Sequence, residues 1–408
     1  MDAERAAAET LLSAKAVRER AHALLAIAEA GGLPDWQVDR GKLPEVARFV
    51  AGVIRERYPT LAVPFHARWR HFEAGGRDLW REIAASFKDT DAEARAAFDL
   101  AITSVLLDAG AGPDWRFRDQ ATGIEAGRSE GLAIASLRLF QHGGFSADAG
   151  DPLRADAETL AHLPANLLAA AFQVTDDNPL VGLEGRAALL RRLGQRTKAR
   201  PDLFALADSP RPGGLYDALV ARAESDRLPA PVILHVLLEA LGPIWPDRLS
   251  LAGVPLGDTW RHPALKTGDA TDGLAPLHKL SQWLAYSLIE PLEIAGTIVT
   301  DVDGLTGLAE YRNGGLFLDL GVLALANPDA AERAHDVGSP LVVGWRALTV
   351  ALLDELAPLV RVELGVTAAA FPLARVLEGG TWAAGRQAAQ ERRSGGPPLK
   401  VISDGTVF

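Results

Sequence analysis

The densest group of reactive side chains in the sequence lies at residues 300–315, where Asp301, Asp303, Glu310 and Arg312 precede the paired Gly314-Gly315. A carboxylate in such a group can stabilise an oxocarbenium-like sugar or activate water, and a nearby guanidinium suits a phosphate. Glycines let the backbone approach a ligand closely. The aspartates are not followed by the terminal Glu of a twelve-residue calcium loop, so a metal loop of that type is excluded. A second concentration spans 63–72, with His66, Arg68, Arg70 and His71 among Phe65, Trp69 and Phe72. It fits a surface that holds a phosphate and covers a base or sugar, or equally a tight loop whose aromatics plug a core seam. The five-residue spacing of His66 and His71 does not place two ligands on one helix face, which argues against a metal pair.

Weaker groups accompany these. Asp176, Asp177 and Asn178 precede a helical pattern and either cap it or, through Asp177, orient a ligand at its open end. The loop-rich stretches 244–248 and 257–263 both combine Trp, Asp and Arg, and Asp258 and Trp260 there either line a cavity or pin a surface loop. In 274–290, Leu277, Leu280, Leu284 and Leu288 form an apolar stripe, while Lys279, Gln282, Tyr286 and Glu290 lie opposite beside Trp283. A large aromatic on a polar face points to an inner cleft, and plain solvent exposure is the competing reading.

The elements that must position these residues follow from composition and spacing. The 408 residues are 48% hydrophobic and 23% charged, enough to bury a sizeable core. Lys and Arg number 42 against 53 Asp and Glu, a net charge of −11, which disfavours nucleic acid as a partner. With no Cys, thiolate chemistry, thiolate zinc and disulfides are excluded. The first twelve residues carry no signal-peptide pattern, and apolar runs such as 341–353 are broken by Gly344 and Arg346, so a soluble, cytoplasmic protein without membrane contact is expected.

Periodicity near 3.6 predicts helices over 3–29, 44–58, 78–87, 91–109, 127–141, 153–171, 184–193, 213–224, 230–241, 274–290, 340–364 and 372–390. Short β-friendly runs occur only at 294–299, 316–320 and around Val401, so the fold class is all-α with a few short strands. Pro201, Pro210, Pro212, Gly213 and Gly214 mark a hinge between two helical lobes, 1–200 and 215–393, packed as one body and followed by a tail at 394–408.

Over nearly its full length the chain resembles the uracil-catabolism family long catalogued as a domain of unknown function. The resemblance lies in 64–72, 113–115, 127–131, 176–185, 211–216, 258–262 and 308–321 together. A fainter one links 305–312 and 320–323 to queuosine salvage proteins, helical enzymes similar in fold to DNA glycosylases that hydrolyse a nucleotide N-glycosidic bond; an Asp commonly stands there where this chain has Glu310. The two resemblances imply a helical, DNA-glycosylase-like core and a hydrolase, without cofactor or metal, acting on a small nucleotide-like substrate. The reaction implied is cleavage of the N-ribosyl C–N bond of a ring-opened uridine nucleotide, freeing ribose 5-phosphate. Glu310, Asp301 or Asp303 would then act on the sugar and water, and Arg312 with Arg68 or Arg70 would hold the phosphate. Trp260 or Trp283 would cover the leaving group, with His66, Asp177, Asp258 and Lys279 as further contacts. The alternatives are a non-catalytic nucleotide-binding protein acting on another enzyme and, from fold analogy alone, a DNA glycosylase, which the acidic balance opposes.

Overall fold

In a computed structural model residues 2–402 are described. They are predominantly helical, and the strands are two or three residues long and paired in two-stranded ladders, so the all-α class holds. The chain divides into two compact units, each assembled from separate stretches. One takes residues 2–66, 247–282 and 301–402, and the other 67–246 and 283–300.

The first unit is organised on the helix Pro340–Leu364. Ser339 starts it by accepting the Val342 N–H, Pro340 fills its first turn, and Gly365 ends it at φ 70°. Every residue from Leu341 to Leu353 is buried, each Leu or Val contributing roughly 1.5–3 kcal/mol. Packed on it are the helices Ala14–Glu29, Leu43–Arg57 and Tyr311–Asp319. The single helix expected over 3–29 is two, Asp2–Thr10 and Ala14–Glu29, because the Ser13 side chain accepts the Ala16 N–H and begins a new helix. Residues 316–319 of the β-friendly run 316–320 are helical instead, within Tyr311–Asp319, and Leu320 caps that helix, since a cap at Glu310 and packing against the helix Trp382–Arg393 outweigh the β propensity. The strand expected near Val401 is present, Lys400–Ile402 lying parallel to Ala334–Asp336.

The expected helix over 372–390 is interrupted. An α-turn at Leu373–Val376 passes into a π-helical turn, Leu377–Thr381, before the helix Trp382–Arg393. Gly379 and Gly380 sit there because a Cβ would fall 2.9 Å from Val63 Cγ1 or 2.6 Å from Val50 Cγ1. Such π-turns occur frequently at functional sites.

The second unit has the helix Thr90–Leu106 at its centre, capped by Asp89 and packed on Arg128–Gln141. The expected 153–171 helix is broken into Ala157–Ala161 and Ala165–Ala171 around Pro164. The hinge-like stretch 201–214 lies within this unit. Its end is pinned by the buried Asp99 carboxylate, which accepts Arg211 Nε–H at 2.8 Å and Gly213 N–H at 2.5 Å. Of the run 294–299, Ile298 and Val299 enter a parallel pair with Arg227–Pro229. No helix among the described residues is long and apolar enough to cross a membrane.

Candidate functional site

Glu310 is 9% exposed and occupies the N-cap of the helix Tyr311–Asp319. Its Oε2 accepts the Arg312 N–H at 2.7 Å and its Oε1 the Asn313 N–H at 2.6 Å. Ser, Thr, Asp and Asn are the side chains helix starts prefer, so capping alone does not account for a Glu. Each oxygen keeps a second lone pair beyond its capping bond. Burial pushes the carboxyl above its ordinary range; the two backbone N–H groups and the charges of Lys279 and His66 pull it back only in part.

Arg312 is 6% exposed and forms no ion pair among the described residues. Its guanidinium lies over the Tyr311 ring at 4.7 Å and makes one long bond, 3.4 Å, to the Gly395 carbonyl. Arg186, also buried, is by contrast boxed in by the carbonyls of Leu107, Ala109 and Gly110. A buried cation held this loosely has capacity for an anion. One residue on, Asn313 is buried and its Oδ1 has no hydrogen-bond partner among the described residues. The helix Trp382–Arg393 approaches so closely that a Cβ on Gly385 would stand 2.3 Å from the Arg312 carbonyl.

Asp258 and Arg346 place this helix start and Lys279. Arg346 is fully buried, bonded to Asp258 through Nη1 at 2.9 Å and Nη2 at 2.7 Å, and its Nε–H donates to the Ala309 carbonyl at 3.3 Å. Asp258 also accepts Trp260 Nε1–H at 2.6 Å and the Lys279 N–H at 3.0 Å, and its carbonyl accepts the N–H groups of Leu277 and His278. Burial raises the Asp258 carboxyl, but Arg346 and the other donors outweigh it and leave it below the usual range. His278, held in that grip, is buried at φ 47°, a strained conformation for a non-glycine residue, and its Nε2 lies 2.9 Å from the Leu11 carbonyl. Gln282 Nε2–H donates to Thr306 Oγ1 at 2.9 Å, fixing the first turn after Lys279 to the loop that leads to Glu310.

His66 Nδ1 lies 2.7 Å from Glu378 Oε2, both residues buried, and its ring is tilted at 44° to that of Trp382 with centroids 6.2 Å apart. The His66 N–H donates to the Ala374 carbonyl, and Arg57 Nη1–H donates to the Glu378 carbonyl.

Among the expected site residues, Glu310, Arg312, His66, Lys279, Asp258 and Trp260 belong to the first unit. Two neighbours in sequence have other surroundings. Asp303 accepts Arg361 Nη2–H and the Leu373 N–H, each at 2.6 Å, and Asp301 is exposed at φ 50°. Arg68, Arg70, Asp177 and Trp283 belong to the second unit. Arg68 is fully buried, paired with Asp108 and donating to Ser104 Oγ at 2.8 Å, and lies over Trp283 at 5.5 Å. His71 Nδ1 is 3.1 Å from Ser129 Oγ. Arg70 Nη2 holds both Glu290 oxygens, at 3.0 and 2.8 Å. Asp177 is exposed, and neither it nor its neighbours cap the next helix: Gly182 at φ 73° does, while Asn178 bonds the backbone of Arg116. On 274–290, Gln282, Trp283 and Tyr286 are all buried, so the polar stripe is no solvent face.

Glu378, Arg346 and Asn313 were not legible as site residues. A lone Arg in the apolar run 341–353, and an acid before two glycines in a helical pattern, were the available signals.

Among the described residues no group of three or more His, Asp or Glu is placed to hold a metal ion. The family model described as "Protein of unknown function (DUF1688)" matches residues 10–408. The chain is 40% identical over 412 residues to "Protein urg3" of Schizosaccharomyces pombe, covering 98% of each. It is 36% identical over 408 residues to "Uracil catabolism protein 4" of Lachancea kluyveri, covering 91% of this chain and 92% of that one. With a match of that extent and relatives aligned over nine-tenths or more of their length, the chain belongs to the DUF1688 family.

Proposed function

We propose that this protein acts in uracil catabolism as an N-ribosyl hydrolase that cleaves the C–N bond of a ring-opened uridine nucleotide, of the ribosyl-urea phosphate type, and releases ribose 5-phosphate. The observation that carries the reading is a buried carboxylate two residues from a buried guanidinium that has no ion-pair partner among the described residues, both at one helix start. The name of the Lachancea kluyveri relative supports the pathway.

In this reaction Arg312 binds the 5-phosphate, whose charge it lacks in the free protein. Departure of the nitrogen leaves positive charge on C1′ and the ring oxygen, which the Glu310 carboxylate stabilises while accepting a proton from the attacking water. Lys279 and the backbone N–H groups of Arg312 and Asn313 favour the ionised form of Glu310, and burial, the larger effect, opposes it. Asp258 and Arg346 hold Ala309 and Lys279 in place and touch no reacting atom in this scheme.

The test is incubation of the purified protein with synthetic ribosylurea 5-phosphate. Urea and ribose 5-phosphate should appear in equal amounts. Saturable binding without either product would overturn the hydrolase and leave a binding protein.

A further inference from the structure

We infer that Ser129 is a nucleophile activated by Asp108, and that the second unit carries a site for acyl transfer from a carboxylic ester; the inference stands apart from the hydrolase reading above. Residues 127–131 read Gly-Arg-Ser-Glu-Gly, the Gly-x-Ser-x-Gly spacing that sets a serine hydroxyl on a sharp turn between a strand and a helix. Such spacing counts only in that strand, turn and helix context, and the structure supplies it. The strand Glu125–Ala126 leads into the helix Arg128–Gln141, whose first residue, Arg128, is held at φ 53°. A Cβ on Gly131 would stand 2.5 Å from the Ala126 carbonyl oxygen, so strand and helix meet too closely for a side chain there. Strained backbone of this kind clusters at functional sites.

The groups around the hydroxyl all belong to the same unit. Ser129 Oγ–H donates to Asp108 Oδ1 at 2.5 Å, and His71 Nδ1 lies 3.1 Å from the same oxygen. Arg68 pairs with Asp108, and its Nη1 is 3.2 Å from both Ser129 Oγ and His71 Nδ1. A guanidinium only donates, which marks Nδ1 as an acceptor, so the single hydroxyl proton is faced by two acceptors. The Arg68 charge favours the alkoxide left when that proton departs. Ser104, which takes a bond from the same guanidinium, is fully buried, whereas Ser129 is half-buried and the Asp108 side chain 10% exposed, within reach of a small molecule. The helix start has no side-chain cap among the described residues, and its first-turn N–H groups suit the oxyanion that forms on an attacked carbonyl.

Ser129 Oγ bonds to the ester carbonyl carbon as its proton passes to Asp108. The C–O bond to the alcohol breaks with its electron pair going to that oxygen, which takes the proton from Asp108. Water then bonds to the same carbon and gives a proton to Asp108, the C–Oγ bond breaks, and Oγ recovers the proton as the carboxylic acid leaves.

The test uses a fluorophosphonate carrying a fluorophore, which the hydroxyl attacks at phosphorus with loss of fluoride, and 4-nitrophenyl acetate as the ester. The full chain should take up one adduct, placed on Ser129 by peptide mass spectrometry, and none as Ser129→Ala or after unfolding in guanidinium chloride. Nitrophenolate release should fall at least about 10²-fold in Ser129→Ala. Asp108→Asn should slow adduct formation by about 10²–10⁴-fold, the usual worth of a positioned base. If it fails to fold, Asp108→Glu, which keeps the charge beside Arg68 but moves the accepting oxygen, takes the same comparison. No adduct, an adduct on another residue, equal labelling of the unfolded chain, undiminished release by Ser129→Ala, or labelling of the folded Asp108 variant at the parental rate each overturns the inference.

Discussion

Replacing Arg346 with Met keeps a long apolar stem in the Pro340–Leu364 helix but removes both bonds to Asp258 and the one to the Ala309 carbonyl. Breaking one side of a buried ion pair leaves an uncompensated charge and costs about 3–5 kcal/mol. Asp258 retains the donors of Trp260 and Lys279, which argues for the lower end, about 3 kcal/mol. At about 2.1 cal/mol/K of unfolding entropy per residue over the whole chain, that loss lowers the melting temperature by about 3–4 °C for a single transition, and by roughly twice as much if the unit carrying the pair melts alone. Scanning calorimetry measures it directly. Asp258→Asn should cost a similar amount, and the double variant clearly less than the sum, because each change alone strands the other partner. A melting temperature for Arg346→Met within about 1 °C of the parent would refute the claim that this pair fastens the helix start carrying Glu310.

Three further outcomes are expected. In the proposed reaction Glu310 works ionised, so kcat/KM should rise with pH through a pKa that burial holds above the ordinary 4.5, and Lys279→Met, which removes a charge that lowers it, should move that acid limb to higher pH. By the same raised pKa the native state binds this proton more tightly than the unfolded chain, so stability relative to Glu310→Gln should grow as pH falls through it, a comparison made by denaturant titration. Arg312→Met should raise KM for the phosphorylated substrate about 10–100-fold, the worth of hydrogen bonds to a charged group, and leave the unphosphorylated ribosylurea almost unaffected. Asp303→Asn, which weakens the bonds to Arg361 and Leu373, should lower the melting temperature by an amount matching about 1–3 kcal/mol while leaving kcat near that of the parent.

Much of the fold was legible because its helices announce both ends. Pro44 and Pro59 bracket Leu43–Arg57, and Pro340 with Gly365 brackets the long central helix. The misread segments are those where one side chain settles the matter against the local pattern. Ser13 divides the first helix, Pro164 divides another, and Glu310 starts a helix through a run that its own residues incline toward a strand. The stretch 300–315 stands out in the sequence by its density of polar residues, and within it Glu310 and Arg312 lie buried at one helix start. Asp301 and Asp303 were indistinguishable from Glu310 in that stretch, since the partners that separate them, Arg361 and Leu373, come about sixty residues or more later. Glu378 and Arg346 were hidden for the same reason: a charged residue inside a helical pattern is informative only when its partner, His66 or Asp258, is known to be near.

The central claim is that Glu310 acts on the C1′–N bond of a bound ribose phosphate. Single-turnover release of urea from ribosylurea 5-phosphate by Glu310→Gln, with binding measured calorimetrically on the same protein, tests it most directly. The account predicts that release falls by at least about 10²-fold while affinity stays within a few-fold of the parent. Release at the parental rate would contradict it.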